Sequence, residues 1–184
     1  MKEPEGFKAE KGKKLGEVSF KLADQACSSH KTKNGDAAYV DEGTPIYAVK
    51  GYPSTLMVTA ADRVFIAYEN KNAKTVAEFY PVKGKVKNVI FRSTIDDSII
   101  HTFSEESKNK FLKEWQSLDV YDQQKFAKED TTDAEQVFIG IELENGVIFR
   151  VTYWSDKNFF SDGAKGSSEL QKLIKEELVK VKKM

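Results

Sequence analysis

The first half of the chain alternates apolar and polar residues in short runs. Val18, Phe20 and Leu22 are spaced by two, which predicts a strand with three side chains on one face. Turn residues and short polar segments separate the further predicted strands, at residues 46–49, 55–60, 63–68 and 85–92. Only Ala61-Asp62 separates the two middle runs, which is the length of a tight hairpin. The pattern predicts an antiparallel, β-rich N-terminal half.

From His101 the pattern changes to helical spacing and one long hairpin. Ser104 followed by two Glu residues is typical of a helix start, and Phe111, Trp115 and Leu118 recur at helical spacing behind it. A short helical turn is expected at residues 122–128. Two β-rich runs, 137–143 and 147–154, flank Asn145-Gly146. This pair tolerates the positive φ angles of a type I′ turn, so the sequence predicts a hairpin.

The chain ends in a predicted amphipathic helix. Ser168 and Gln171 have the spacing of a capping box, and apolar residues then recur at i, i+3 and i+4, namely Leu170, Leu173, Ile174, Leu178 and Val181. Such a helix must pack on a sheet, and the preceding hairpin is the expected partner. Strands and helices come in blocks rather than in strict alternation, which predicts an α+β fold.

Domain organisation follows from where the large apolar residues lie. Residues 1–16 contain only Phe7 and Leu15 of this kind, so we expect a flexible tail or tether. Residues 17–184 are expected to form a single α+β domain, in which residues 17–84 and 85–184 are alternative lobes. A single sheet running through both halves is equally compatible with the pattern.

The charge balance limits the class of partner. Basic and acidic side chains both number 29, so the chain lacks the positive surplus that phosphate backbones attract, and no nucleic-acid binding is predicted. No run approaches the roughly 18 to 20 apolar residues of a bilayer span. The first residues also lack the apolar segment of a signal peptide, so an exported natural protein would have lost its signal.

Ionisable side chains form two weak candidate sites. Cys27 and His30 share a polar loop, but a nucleophile and its base normally come from distant parts of a chain, so a structural cysteine is the simpler interpretation. Asp96-Asp97 with His101 would supply a carboxylate and an imidazole, although the pattern more simply indicates a polar turn. Acidic pairs such as Glu176-Glu177 are expected to be solvated. We therefore predict no catalytic residue, no metal ligand and no cofactor.

Aromatic residues supply the candidate ligand-binding positions. Trp154, Phe159 and Phe160 follow the predicted hairpin and could form a stacking or peptide-binding surface, although alternation would place half of such residues in the core. Tyr52, in a loop of the β-rich half, is the fourth candidate.

Two stretches, residues 43–52 (GTPIYAVKGY) and residues 73–86, resemble segments of uncharacterised exported or membrane-anchored proteins of Bacillus-like Gram-positive bacteria. The order of elements is also similar to that of small extracytoplasmic lipoprotein modules. This resemblance implies an extracytoplasmic, non-enzymatic module that binds a protein or a cell-wall component and is tethered through a removed N-terminal anchor. It implies no functional residue, and the chain has no lipobox Cys near residue 1.

Two alternatives stay open at this point. One is a hydrolase with an unrecognised polar site, built around His101, Asp96 and Asp97 or around Cys27 and His30. The other is an intracellular regulatory partner protein.

Overall fold

The computed structural model describes residues 9–25, 29–68, 70–121 and 134–181. The chain divides into two compact units, residues 1–67 and 68–184, whereas the sequence placed its alternative lobe boundary at residues 84 and 85. Each sheet takes all its strands from one unit. The predicted α+β fold is confirmed. No helix in the described ranges combines the length and the apolar character needed to cross a bilayer.

The first unit contains a four-stranded antiparallel sheet. Its strand order is β1-β4-β5-β6, with bounds β1 Lys11–Glu17, β4 Pro45–Val49, β5 Met57–Ala60 and β6 Arg63–Ile66. A parallel two-stranded sheet joins β2 (Phe20–Lys21) to β3 (Asp36–Ala37), and the short helix α1 (Leu22–Gln25) follows β2. Val18, Val40 and Ala60 form a small core with Ala37 and Ile46 packed against it.

The start of the chain corrects two predictions. The flexible tail predicted at residues 1–16 is wrong for residues 11–16, because they form β1, which pairs with β4. Backbone hydrogen bonds can hold an edge strand whose side chains are not buried. Such a strand has few apolar residues, so the hydrophobic pattern of the sequence does not reveal it. The strand predicted through Val18, Phe20 and Leu22 is also wrong, since these residues lie after β1, in β2 and in α1. Residues 1–8 lie outside the described ranges.

The predicted hairpin at Ala61-Asp62 is confirmed. Ala60 pairs with Arg63, and the two residues between them have φ angles of 48° and 57°. Positive φ at both positions is what a type I′ turn requires, and it is an unfavourable conformation for two residues that have a Cβ atom.

In its described residues, the second unit contains a five-stranded antiparallel sheet and three helices. The strand order is β11-β10-β9-β7-β8, with bounds β7 Val86–Arg92, β8 Ile99–Thr102, β9 Gln136–Leu143, β10 Ile148–Trp154 and β11 Phe159–Phe160. The helices are α2 Val76–Phe79, α3 Glu105–Gln116 and α4 Ser168–Val181. Its core includes Trp115, Phe91, Phe111, Ile139, Ile141, Leu143, Tyr153, Phe160, Leu170 and Ile174, all at most 1% exposed.

The β9–β10 hairpin is confirmed, but its predicted type I′ turn is wrong. Leu143 N donates to Val147 O at 2.8 Å, which encloses a three-residue loop, and Gly146 N donates to Leu143 O at 2.9 Å. Gly146 has a φ of 82°, whereas Asn145 is not among the residues with positive φ. A type I turn followed by a left-handed glycine gives this geometry and still requires glycine at the last loop position.

The predicted N-cap is correct for α3 and wrong for α4. Ser104 caps α3 as predicted, since its Oγ accepts from Ser107 N at 3.2 Å. The capping box predicted at Ser168 is wrong by one residue, because Ser167 Oγ accepts from Leu170 N at 3.1 Å. Gln171 instead donates its side-chain amide to Ser155 O at 3.3 Å. The helical turn predicted at residues 122–128 lies outside the described ranges.

Candidate functional site

The four predicted ligand-binding residues are divided between the two units. Tyr52 belongs to the first unit and the other three to the second. Phe159 and Phe160 are buried, and the Phe160 ring lies 4.7 Å from that of Tyr153. Trp154 is the partly exposed member of its group. The ligand-binding role of these residues stays a prediction.

The candidate around His30 is a local contact within the first unit. His30 Nε2 lies 2.7 Å from Asp36 Oδ2, and the imidazole ring stacks on Phe20 with centroids 4.7 Å apart. Asp36 also accepts from Lys33 N at 2.8 Å. The hydrogen bonds from His30 and Lys33 lower the pKa of Asp36. Cys27, the other predicted member, lies outside the described ranges.

The candidate around His101 separates into two features. Asp96 and Asp97 lie in the turn between β7 and β8, where Asp96 Oδ1 accepts from Ser98 and Asp97 Oδ2 lies 2.8 Å from Arg92 Nη2. His101 instead contacts Glu177 in α4, with 2.6 Å between Nε2 and Oε2. These three residues therefore have different bonding partners.

Glu177 corrects the prediction that the acidic pair Glu176-Glu177 is solvated. Its side chain is 1% exposed and joins three elements, because it also accepts from Ser107 Oγ of α3 at 2.7 Å and from Lys180 Nζ. Burial alone would raise the pKa of Glu177, but the hydrogen bonds from Lys180, His101 and Ser107 outweigh this effect and lower the pKa. The carboxylate therefore stays ionised inside the unit.

The order of groups in this cluster differs from that of a nucleophilic site. Such a site places the base between the nucleophile and the orienting acid. Here the carboxylate of Glu177 lies between Ser107 and His101, and the Ser107 hydroxyl donates a hydrogen bond to Oε1. The arrangement ties β8, α3 and α4 together. Glu177 lies three residues after Ile174 on the apolar stripe of α4, which is the signal in the sequence that could have revealed its burial.

The turn at residues 93–98, which we call the β7–β8 turn, is densely hydrogen-bonded. Ser93 N donates to Ser98 O at 2.8 Å, and Ser93 Oγ accepts from Ile95 N at 3.2 Å. Arg92 Nε donates to Asp97 O at 2.8 Å. Hydrogen bonds from Ser98 and Ser93 lower the pKa of Asp96, so its carboxylate is charged at neutral pH. Sequence reasoning interpreted this segment only as a polar turn and missed how it is fixed.

Exposed apolar residues cluster on and beside this turn. Ile95 is 96% exposed at its tip, and Ile99 and Ile100 in β8 are 55% and 38% exposed. We call these three residues the isoleucine patch. Single exposed apolar residues are normal, so it is the presence of three of them within residues 95–100 that marks this segment as a candidate interaction surface.

A second buried carboxyl lies elsewhere in the same unit. Asp162 is 4% exposed, and its oxygens accept from Trp115 Nε1 at 3.2 Å and from Ala164 N at 3.1 Å. Burial outweighs these neutral hydrogen bonds and raises the pKa of Asp162 to about 7. Burial also raises the pKa of Tyr80, with Asp162 adding to the effect. Asp162 therefore titrates near neutral pH in the folded protein.

Two surface depressions and the possible metal ligands of the described residues were compared with the His101–Glu177 cluster. Two surface depressions have volumes of about 290 and 320 Å³, one along α4 and one between residues 82–86 and α3, and neither is lined by His101, Ser107 or Glu177. Within the described part of the chain, no group of three or more His, Cys, Asp or Glu side chains could hold a metal ion. Comparisons with protein-family models, curated proteins and solved structures found no match to this chain.

Proposed function

We propose that this chain is a non-catalytic binding module that engages a partner protein through the isoleucine patch. The observation that carries the proposal is the contrast at the β7–β8 turn, where a hydrogen-bonded backbone displays a nearly fully exposed isoleucine. A turn fixed before binding loses little conformational entropy when it binds, so more of the contact energy appears as affinity. An apolar tip on a rigid turn is the kind of anchor that fills a pocket on a partner.

The polar side chains support the non-catalytic part of the proposal. Ser107, Glu177 and His101 are bonded to one another in an order that does not activate the hydroxyl. Asp97 is held by Arg92. These groups act on the structure of the unit and leave its surface to binding.

A location at the cell envelope is the second part of the proposal. It rests on the resemblance of residues 43–52 and 73–86 to extracytoplasmic proteins of Gram-positive bacteria. Fractionation of cells that express the natural gene tests it, and recovery of the protein only with cytosolic markers would favour an intracellular regulatory protein instead.

Site-specific photocrosslinking tests the binding function. Ile95 is replaced by p-benzoylphenylalanine in the natural host, and the same replacement at Tyr68, 91% exposed in the same unit, is the matched control. We expect a discrete crosslinked protein from position 95 that position 68 does not give. Equal crosslinking from both positions, or none from position 95, would contradict the proposal.

A further inference from the structure

We propose that the partner binds as an extended polypeptide segment that pairs with β8 as a sixth strand and carries a Lys or Arg opposite Asp96. This inference rests on the proposed function and names the chemistry of the partner. Three features of β8 support it: its position at an edge of the sheet, the direction of its backbone groups and the charge beside it.

β8 is an edge strand with few of the usual protections. In the described part of the chain it pairs with β7 on one side and with no strand on the other. Lysines often protect such edges, and β1, at an edge of the other sheet, carries Lys11, Lys13 and Lys14. The sequence of β8 is IIHT, which contains no Lys, Arg, Asp, Glu or Pro. Its one irregularity is a bulge at Ile99–Ile100 opposite Arg92.

The backbone of β8 can pair outward at Thr102. Phe103 N donates to Val89 O at 3.0 Å, and the next pair along is Ile90 with Thr102. Because antiparallel partners alternate between hydrogen-bonded and non-hydrogen-bonded pairs, the N–H and C=O of Thr102 point away from β7. Thr102 is exposed, so an added strand can reach both groups.

The charge beside this edge selects a basic segment. Asp96 is exposed and ionised, and its carboxylate accepts from Ser98, a neutral donor. Asp97, in contrast, lies 2.8 Å from Arg92 and 3.8 Å from Arg150, so both arginines near this turn are engaged with Asp97 rather than with Asp96. The isoleucine patch thus has a negative charge at its start, and a Lys or Arg of an added strand would complement it.

In a parallel pair, and in the antiparallel register that pairs Ile100 with Thr102, the same charge disfavours a second copy of this chain as the occupant. If two β8 strands pair antiparallel with Ile100 opposite Thr102, Asp96 of one copy faces the first turn of α3 in the other. That turn contains Glu105 and Glu106. A parallel pair would place Asp96 beside Asp96. Both arrangements bring acidic side chains together, whereas a basic segment does not.

Peptide selection on the full-length chain tests the inference. A displayed library of random dodecapeptides is panned at low salt, and the consensus peptide is synthesised and titrated. We expect alternating β-branched or apolar residues with a Lys or Arg, and slowed hydrogen exchange at the Thr102 amide in the complex. Thr102→Pro removes the outward N–H and should weaken binding about tenfold, since one or two hydrogen bonds are lost. Asp96→Asn keeps the acceptor for Ser98 and should weaken binding about threefold, an effect that high salt removes.

A matched pair of variants separates binding at this edge from nonspecific hydrophobic association. Ile100→Lys and Phe65→Lys both place a charge on an edge strand, at residues 38% and 40% exposed. Ile100→Lys should abolish binding and Phe65→Lys should preserve it, with circular dichroism and thermal unfolding confirming that each variant folds. Ile95→Lys, at a side chain that is 96% exposed, removes the apolar tip and repels a basic segment, so it gives the same readout without risk to folding.

Three results would overturn the inference. The first is a selection that yields no consensus peptide or an acidic one. The second is peptide binding that neither Thr102→Pro nor Ile100→Lys changes. The third is a dimer, seen in sedimentation, that Ile100→Lys dissociates. Position-specific crosslinking from Ile95 without such a peptide would leave the binding function standing and reject strand pairing. If position 95 gives no specific crosslink and the selection yields no peptide, the proposed binding function itself is rejected.

Discussion

Asp162 makes a quantitative prediction about stability and pH. The pKa of its carboxyl is about 7 in the folded protein, against an ordinary value of 3.8 that we take for the unfolded chain. A raised folded-state pKa gives stability that is complete below the unfolded pKa and is lost as the pH rises through about 7. The pKa difference of roughly three corresponds to about 4 kcal/mol in total, at 1.36 kcal/mol per pKa unit.

The range from pH 5 to pH 8 isolates this effect from that of Glu177. Because the pKa of Glu177 is lowered, its contribution is present above its unfolded pKa of about 4.5 and is lost only as the pH falls through the folded value. From pH 5 up to about pH 7 the folded protein holds the Asp162 proton and the unfolded chain does not. Between pH 5 and pH 8 this difference alone should lower the free energy of unfolding by about 2.7 kcal/mol.

Asp162→Asn provides the comparison. The amide cannot titrate, and its single oxygen can accept from Ala164 N or from Trp115 Nε1 but not from both. The variant should therefore differ from wild type by a constant offset plus the missing pH dependence. Both proteins keep the two histidines, so subtraction of the two curves removes their titration.

Urea unfolding followed by tryptophan fluorescence measures the difference. Trp115 and Trp154 both lie in the second unit, so the signal reports on the unit that contains Asp162. We expect the wild-type curve to fall by about 2.7 kcal/mol relative to the variant between pH 5 and pH 8. Parallel curves would mean that Asp162 is ionised in the folded protein, and the reasoning from burial would be refuted.

Three further predictions follow from the geometry. The double change Ala61→Asn and Asp62→Gly should stabilise the first unit by about 1 to 2 kcal/mol in thermal unfolding, since both positions have positive φ. Glu177→Gln should lower the free energy of unfolding by about 3 kcal/mol, because His101 and Lys180 lose a buried negative partner. Gly140→Ala should cost about 1 to 3 kcal/mol, since an added Cβ would lie 2.7 Å from Cγ1 of Ile90.

Two of these predictions have a matched control variant. Glu176→Gln changes the exposed neighbour of Glu177 and should alter stability by less than about 0.5 kcal/mol. Gly16→Ala adds a Cβ that meets no atom within 4 Å at a residue without positive φ, so it should be close to neutral. For the hairpin change, a lower melting temperature would show that the left-handed turn is not strained. Equal effects of the two glutamates, or of the two glycines, would contradict the packing argument.

Features that depend on nearby residues were predictable from the sequence. The cap at Ser104 and the hairpin around Asn145-Gly146 follow from local hydrogen bonding and backbone preference, and both occur. Even the error at Ser167 is small, because adjacent serines compete for one capping role. The error in the β9–β10 turn arises because one glycine with positive φ suits two turn types and only loop length separates them.

Features that depend on distant residues were not predictable. β1 has few apolar residues and exists because β4 supplies backbone partners more than 25 residues later. The environment of Glu177 depends on groups in β8 and α3, 76 and 70 residues away. Ile95 is displayed by a turn whose serine and aspartate side chains bond to other residues of the same turn, which composition alone does not show.

The buried cluster and the proposed binding edge meet at one residue. Replacing a buried ion pair by apolar side chains is often neutral or stabilising, so stability alone does not explain an ionised Glu177 inside the unit. His101 lies between Ile100 and Thr102, and its contact with Glu177 fixes the centre of β8 to α4. An edge strand has only one neighbouring strand to hold it, and an added strand pairs best with an edge already fixed in position. Loss of the Glu177 contact should therefore increase hydrogen exchange first in β8, while β9, paired on both sides, keeps its protection.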